Sequence, residues 1–173
     1  MVGEMKQQGK MLVPLILPAL KSYFGDYDFV SSEQEIMHPL ENQENYDFHG
    51  FIDLVIRTRD GKYHIIDWKT CSWGWDLKKR TSTEVTYQLT FYKHFFCKMT
   101  GAKPEDVETH FGLLKRTATK DNVELFRVTS GEKKSKNALN TLDNCVVNIS
   151  RGNFVKNRLS CSRCEFHKTV HCP

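Results

Sequence analysis

The stretch that most constrains this chain is HGFIDLVIRTRDGKYHIIDWKT, His49 to Thr70. It reads as two β-rich runs, GFIDLVI and KYHIIDWKT, joined by the turn signal Arg59-Asp60-Gly61. Each run carries one aspartate among residues that normally fill a core. Side chains alternate along a strand, so Asp67 and Lys69 share one face while Ile66 and Trp68 share the other, and Phe51, Asp53 and Val55 share a face of the first strand. A three-residue loop with Gly61 left-handed, as in a G1 bulge, sets Thr58 opposite Lys62 and therefore Asp53 opposite Asp67. A two-residue Asp60-Gly61 loop shifts the register by one and separates the carboxylates to opposite faces.

In the first register, two carboxylates meet on one face. They repel and raise one another's pKa unless a cation lies between them, and all-oxygen ligands suit Mg²⁺ or Mn²⁺. Lys69, on the same face, is placed to orient or deprotonate an attacking water or to stabilise charge on a phosphate. Each short pattern alone describes an ordinary wet sheet face with a surface ion pair. Their combination in one hairpin is far less common.

The flanking sequence supplies the rest of a fold. Gly3 to Phe24 has helical character interrupted by Pro14 and Pro18, which predicts a helix, a break and a short second helix. DFVSSEQEIMHPL is a strand. Thr81-Ser82-Thr83-Glu84 has capping-box form and opens a helix with Val85, Leu89, Tyr92 and Phe96 at helical spacing, ended by Gly101. THFGLLKRT and VELFRVTS form another hairpin around Lys120-Asp121-Asn122, and Lys134 to Ser150 is helical. The order α, β, β, β, α, β, β, α predicts an α/β fold, a central mixed sheet covered by helices. One domain spanning 1–173, with a cysteine-rich tail at 158–173, accommodates this order.

Charge and composition exclude little else. A net charge of +4 permits a polyanionic partner without identifying one. No apolar run approaches the roughly 18 residues of a membrane span, and no signal-peptide core follows Met1, so the expectation is a soluble, intracellular protein with no membrane partner. Of six cysteines, Cys71, Cys97 and Cys145 are scattered, whereas Cys161, Cys164 and Cys172 are bunched, a spacing that suits metal binding in a reducing compartment better than disulfides.

Gly50-Phe51-Ile52-Asp53, Ile65-Ile66-Asp67-Trp68-Lys69-Thr70 and Tyr87-Gln88-Leu89-Thr90-Phe91-Tyr92 together resemble the G-h-h-D, h-h-D-x-K-T and Q-h-x-x-Y series of the PD-(D/E)xK nucleases. Within that superfamily the sequence is most similar to the RecB-like exonuclease branch, which includes CRISPR-associated and phage enzymes. The resemblance implies a restriction-endonuclease-like core and divalent-metal-dependent cleavage of DNA in recombination, repair or phage DNA processing. It implies Asp53, Asp67 and the main-chain carbonyl of Trp68 as metal ligands and Lys69 as the catalytic lysine. By the same resemblance Gln88 turns its amide to the metal site or the DNA backbone, and Tyr92 packs nearby. The family's additional ligand on an early helix has only Glu4 to match it. Glu35, on the following strand, is the other candidate for that ligand, with a sheet-edge charge as the competing reading.

The tail resembles the closing C-x-x-C…C of iron-sulfur RecB-like nucleases, which implies a [4Fe-4S] cluster on Cys161, Cys164 and Cys172 plus one further cysteine. The spacing C-x-x-C-x-x-H-x-x-x-H-C equally suits Zn²⁺ with His167 or His171 as fourth ligand. Lys78, Lys79 and Arg80, preceded by Trp73 and Trp75, offer charge for phosphates and flat faces for bases, which points to single-stranded DNA or free ends over a read sequence. An endonuclease of resolvase or nicking type is the alternative within the class. From another class, the fold could serve as a non-cleaving DNA-binding or assembly module beside a recombination or CRISPR partner.

Overall fold

The computed structural model describes residues 2–153, 158–170 and 172. Two compact units form, Met1–Asn140 and Thr141–Pro173, so the second unit begins well before the cysteines. Among the described residues no helix is long and apolar enough to cross a membrane.

The first unit is built on one mixed sheet of five strands in chain order: β1 (Tyr27–Leu40), β2 (Gln43–Thr58), β3 (Tyr63–Cys71), β4 (Val107–Lys115) and β5 (Val123–Val128). Neighbours are antiparallel except β3 and β4, which run parallel. A parallel pair needs a crossover, and the short α2 (Leu77–Thr81) and the longer α3 (Thr83–Thr100) supply it. The α/β mixed sheet flanked by helices is therefore the fold that the sequence predicts. Its core is the set of β-branched and aromatic residues at alternating strand positions, among them Ile36, Ile52, Val55, Ile65, Ile66 and Phe111, closed over by Leu89 and Phe96 of α3.

Two local expectations change. The first helix, α1 (Val2–Phe24), is continuous through Pro14 and Pro18. A proline removes one backbone donor and crowds the carbonyl four residues back, which breaks a helix most readily where nothing else can satisfy that carbonyl. Here α1 docks through Leu12 and Leu20, while Lys10 and Pro14, whose carbonyls lose their donors to Pro14 and Pro18, lie at exposed positions. At the start of α3, Ser82 is the N-cap residue but makes no side-chain capping bond. The capping duty falls one element earlier, where Asp76 accepts the Lys79 N–H at 2.8 Å and starts α2.

In the second unit α4 (Glu132–Ser150, begun in the first) ends and a 3-10 segment, Arg158–Arg163, follows. Its cysteines are free thiols, Cys161 and Cys172 half-buried and Cys164 exposed. Successive turns bring the Cys164 N–H to the Cys161 carbonyl and the His167 N–H to the Cys164 carbonyl, each at 3.1 Å. His171, one of the two imidazoles considered as fourth ligand, lies outside the described residues.

Candidate active site

The β2–β3 turn decides whether the aspartates meet. The Thr58 N–H donates to the Lys62 carbonyl at 3.0 Å and the Gly61 N–H to the Thr58 carbonyl at 2.9 Å, with Gly61 at φ +86°. This is the three-residue loop, and glycine fills its left-handed position at no steric cost. Counting from it, the ladder pairs Arg57 with Tyr63, Ile56 with His64, Val55 with Ile65 and Leu54 with Ile66. The next opposed pair is Asp53 and Asp67.

There the backbone ladder stops and a side chain takes over. Asp53 Oδ2 accepts the Trp68 N–H at 2.6 Å, so its carboxylate bridges to β3 in place of a main-chain partner. On β1, opposite this point, Glu33 adopts φ +49°, and the β1–β2 pairing passes from Ser32–Leu54 to Gln34–Ile52 without a Glu33–Asp53 partnership. The pairing is therefore interrupted on both sides of Asp53.

Asp67 is 2% exposed, and Lys69 Nζ stands 2.8 Å from its Oδ2. That approach makes a close ion pair to a carboxylate oxygen that has no other partner among the described residues. Burial pushes the Asp67 carboxyl above the usual range; Lys69 pulls it back and Asp53 pushes it further up. A buried acidic oxygen whose one partner is a lysine ammonium, beside a second carboxylate, fits a hard divalent cation, since oxygen ligands with negative charge are what Mg²⁺ and Mn²⁺ take.

Tyr92 and Gln88 approach the same pair from α3, as their i, i+4 spacing allows. Gln88 Nε2 donates to the Tyr92 hydroxyl at 3.1 Å, so the amide is turned on the tyrosine. Burial raises the Tyr92 phenol above its ordinary value, and the charges of Asp67 and Asp53 add to the rise. Gly50 explains how Tyr92 comes so close: a Cβ there would sit 3.0 Å from Tyr92 Cε1.

Other predicted site residues lie elsewhere. Glu35 is exposed, pairs with Phe51 across the β1–β2 ladder, and gives its Oε1 to His49 Nε2 at 2.9 Å. Glu4 is exposed in the first turn of α1. The structure does not gather either with Asp53 and Asp67. Of the basic run, Arg80 is committed within the fold: Nη2 reaches Glu124 at 2.6 Å, Nε donates to the Trp75 carbonyl at 2.8 Å, and the guanidinium lies over Phe126. Lys79 covers the Trp75 ring at 4.6 Å, while Lys78 and Trp73 project into solvent.

Two features escaped sequence reasoning. Trp68 lies across Gly112 of β4, its register partner, so closely that a Cβ at Gly112 would enter the indole's six-membered ring. His64, Glu108 and His110 converge on the sheet face away from Asp67; the available signal was a histidine at a core-flanked position in each of two strands.

A splayed strand pair thus presents Asp53, Asp67 and Lys69, with Gln88 and Tyr92 of α3, to one face of a mixed sheet. The chain belongs to the PD-(D/E)XK nuclease superfamily, whose family model matches residues 5–169. Among solved structures it is similar to a protein from Eubacterium rectale provisionally named an exonuclease, with 14% identity and a TM-score of 0.62, covering 96% of this chain and 62% of that one. It is also similar to the protein designated SSO0001, with 18% identity and a TM-score of 0.54, covering 95% of this chain and 68% of that one. The chain thus spans less than two thirds of the first of these relatives, and both likenesses concern the fold. No curated protein matches.

Proposed function

We propose that the chain is a divalent-metal-dependent deoxyribonuclease of the RecB-like branch, acting as an exonuclease on DNA with free ends. The observation that carries this reading is the buried Asp67 carboxylate, ion-paired by Lys69 and across from Asp53. Asp53, Asp67 and the Trp68 carbonyl would hold Mg²⁺ or Mn²⁺. Bound there, the cation supplies Lewis acidity to the scissile phosphate and lowers the pKa of a nearby water. Lys69, 34% exposed at the rim, keeps its ammonium within reach of both an attacking water and a phosphate oxygen. Gln88 holds the Tyr92 hydroxyl, and Tyr92 walls the carboxylates on the α3 side. Lys78 and Trp73 are free to meet a phosphate and a base.

An end-labelled linear duplex, a single strand and a supercoiled plasmid, each with Mg²⁺ or Mn²⁺, test the reading. Release of short products from ends with the plasmid intact is expected. Nicked plasmid would make it an endonuclease, and DNA binding without cleavage a non-cleaving module, the reading favoured by Glu35 standing apart from the aspartates. Lys69→Ala should lower single-turnover cleavage roughly 10²–10⁴-fold while calorimetric metal affinity holds, because an ammonium cannot ligate a cation. A large fall in metal affinity would make Lys69 a structural residue.

For the tail we propose a metal held by Cys161, Cys164 and Cys172 that orders the second unit and takes no part in chemistry. Iron and sulfide with broad visible absorption in anaerobically purified protein would make it a [4Fe-4S] cluster with one of the scattered cysteines. Colourless protein with zinc would assign His167 or His171. A triple Cys→Ser variant that melts like the parent would remove the site altogether.

A further inference from the structure

The cleft formed by the end of α1, the β2–β3 turn and strands β3 to β5 measures about 600 Å³ and holds a cluster that the nuclease reading does not use. His64 on β3 pairs with Glu108 on β4, and His110 lies two residues further along β4, so three side chains from two adjacent parallel strands meet on one face. His64 lies three residues before Asp67, which puts this face opposite the one bearing the aspartates. His64 Nδ1 is 3.1 Å from His110 Nε2 and 3.9 Å from Glu108 Oε2, and the three ligand atoms lie within 4.8 Å of one another.

Proton counting shows what converges there. Thr58 Oγ1 has a single hydrogen, and the 2.5 Å approach to Asp60 Oδ1 takes it, since an ionised carboxylate only accepts. At 2.9 Å from that hydroxyl, His64 Nε2 must then be the donor, which leaves Nδ1 as a bare lone pair. That lone pair accepts from His110 Nε2 and faces a carboxylate oxygen. Glu108 is turned to suit: its Oε1 takes both Lys62 Nζ and Arg127 Nη2, each at 3.2 Å, and Oε2 is left toward the imidazoles. Three electron-rich atoms converge with at most one proton among them. The charges around the cleft balance, Asp26, Asp60 and Glu108 against Arg59, Lys62 and Arg127, so the two cations on Oε1 do not leave a net positive site.

We infer that His64, Glu108 and His110 form a second metal site, separate from the carboxylate pair, which takes a divalent transition-metal ion such as Zn²⁺ through two imidazoles and one carboxylate. Ligands at ordinary Zn–N distances around a tetrahedral ion lie roughly 3.3 Å apart, close to the spacing of the two imidazole nitrogens. Imidazole selects Zn²⁺ over Mg²⁺. The chain Asp60–Thr58–His64 is the outer support that fixes the tautomer and orientation of a metal-bound histidine. Phe24 packs 4.8 Å from the His64 ring and 4.9 Å from the His110 ring, so the ion would lock β3 to β4 beneath the last turn of α1. The inference stands whether or not the opposite face cleaves DNA.

The test uses the full chain, freed of metal by chelation and then given Zn²⁺ or Co²⁺. Zinc at about a hundredfold excess over its Kd should raise Tm by roughly 5–10 °C. Long-range ¹H–¹⁵N spectra of the parent should show the His64 and His110 ring nitrogens shifting on zinc addition, a readout that needs no variant. Cobalt at this site should give visible ligand-field bands that persist after the tail thiols are alkylated. Glu108→Gln and His64→Gln should each weaken that zinc equivalent at least roughly tenfold, while Asp67→Asn leaves it unchanged. Unmoved histidine nitrogens, or cobalt bands that vanish entirely with the thiols, would overturn the site. So would zinc affinity unaltered in a folded Glu108→Gln protein.

Discussion

The Asp67→Asn protein is expected to lose phosphodiester cleavage to background and, stripped of divalent cations, to melt above the parent. Both effects come from one oxygen. Asp67 is 2% exposed, its Oδ2 has Lys69 as its one partner among the described residues, and burial raises its carboxyl above the ordinary value despite Lys69. A folded-state pKa above the unfolded one means that the native state holds the proton more tightly. The penalty of the charged form is therefore fully present above the raised value and disappears as the pH falls below the unfolded one. Asparagine removes that penalty at neutral pH, and Lys69 is exposed enough to rehydrate once its partner is gone. The same change removes the charge that a divalent cation would need. Asp53→Ala should also lose cleavage, but with the opposite sign in stability, because the Trp68 N–H would lose its acceptor at a cost of about 1–3 kcal/mol. Differential scanning calorimetry in chelator beside single-turnover cleavage separates the two. Cleavage retained by Asp67→Asn would remove the aspartate pair from the chemistry.

That contrast marks what could be read from the sequence. The facing of Asp53 and Asp67 followed from strand alternation and from one glycine in a turn, both local rules, and the ladder has the predicted register. A mixed sheet covered by helices followed from the succession of elements, whereas the strand order and the parallel β3–β4 pair are seen only in the structure. Nor did the continuous α1 follow, because whether a proline breaks a helix depends on where the freed carbonyl points, which tertiary docking decides. Arg80 looked like its neighbours Lys78 and Lys79 in sequence, yet contacts with Glu124 and Phe126, more than forty residues away, join the nearby Trp75 carbonyl in committing it to the fold. His64 and His110 are likewise separated by a crossover, and a single strand gives no sign of the other.

Gly112→Ala should be among the most damaging small substitutions in the chain, costing about 3 kcal/mol, at the upper end of overpacking penalties, and roughly 6–12 °C in Tm. Gly112 is buried in β4 opposite Trp68, and the added Cβ would fall among Cδ2, Cε3 and Cζ3 of the indole. A ring cannot yield there by bending its end, so the whole tryptophan must leave its rotamer. Trp68 stands between Asp67 and Lys69, and its N–H anchors Asp53. Displacing it moves the backbone that aims all three side chains, and a misplacement of about 1 Å can cost on the order of 10²-fold in rate. The tight indole–glycine seat is thus a reason for tryptophan in the Asp-x-Lys segment that metal chemistry alone does not supply. Trp68→Ala removes the ring at its own packing cost, but in the Gly112→Ala background it should cost far less, a coupling of at least about 1 kcal/mol. A four-member mutant cycle read by Tm and by single-turnover rate measures it. Additive effects, or a Gly112→Ala protein that melts and cleaves like the parent, would mean that the indole does not hold the site in place.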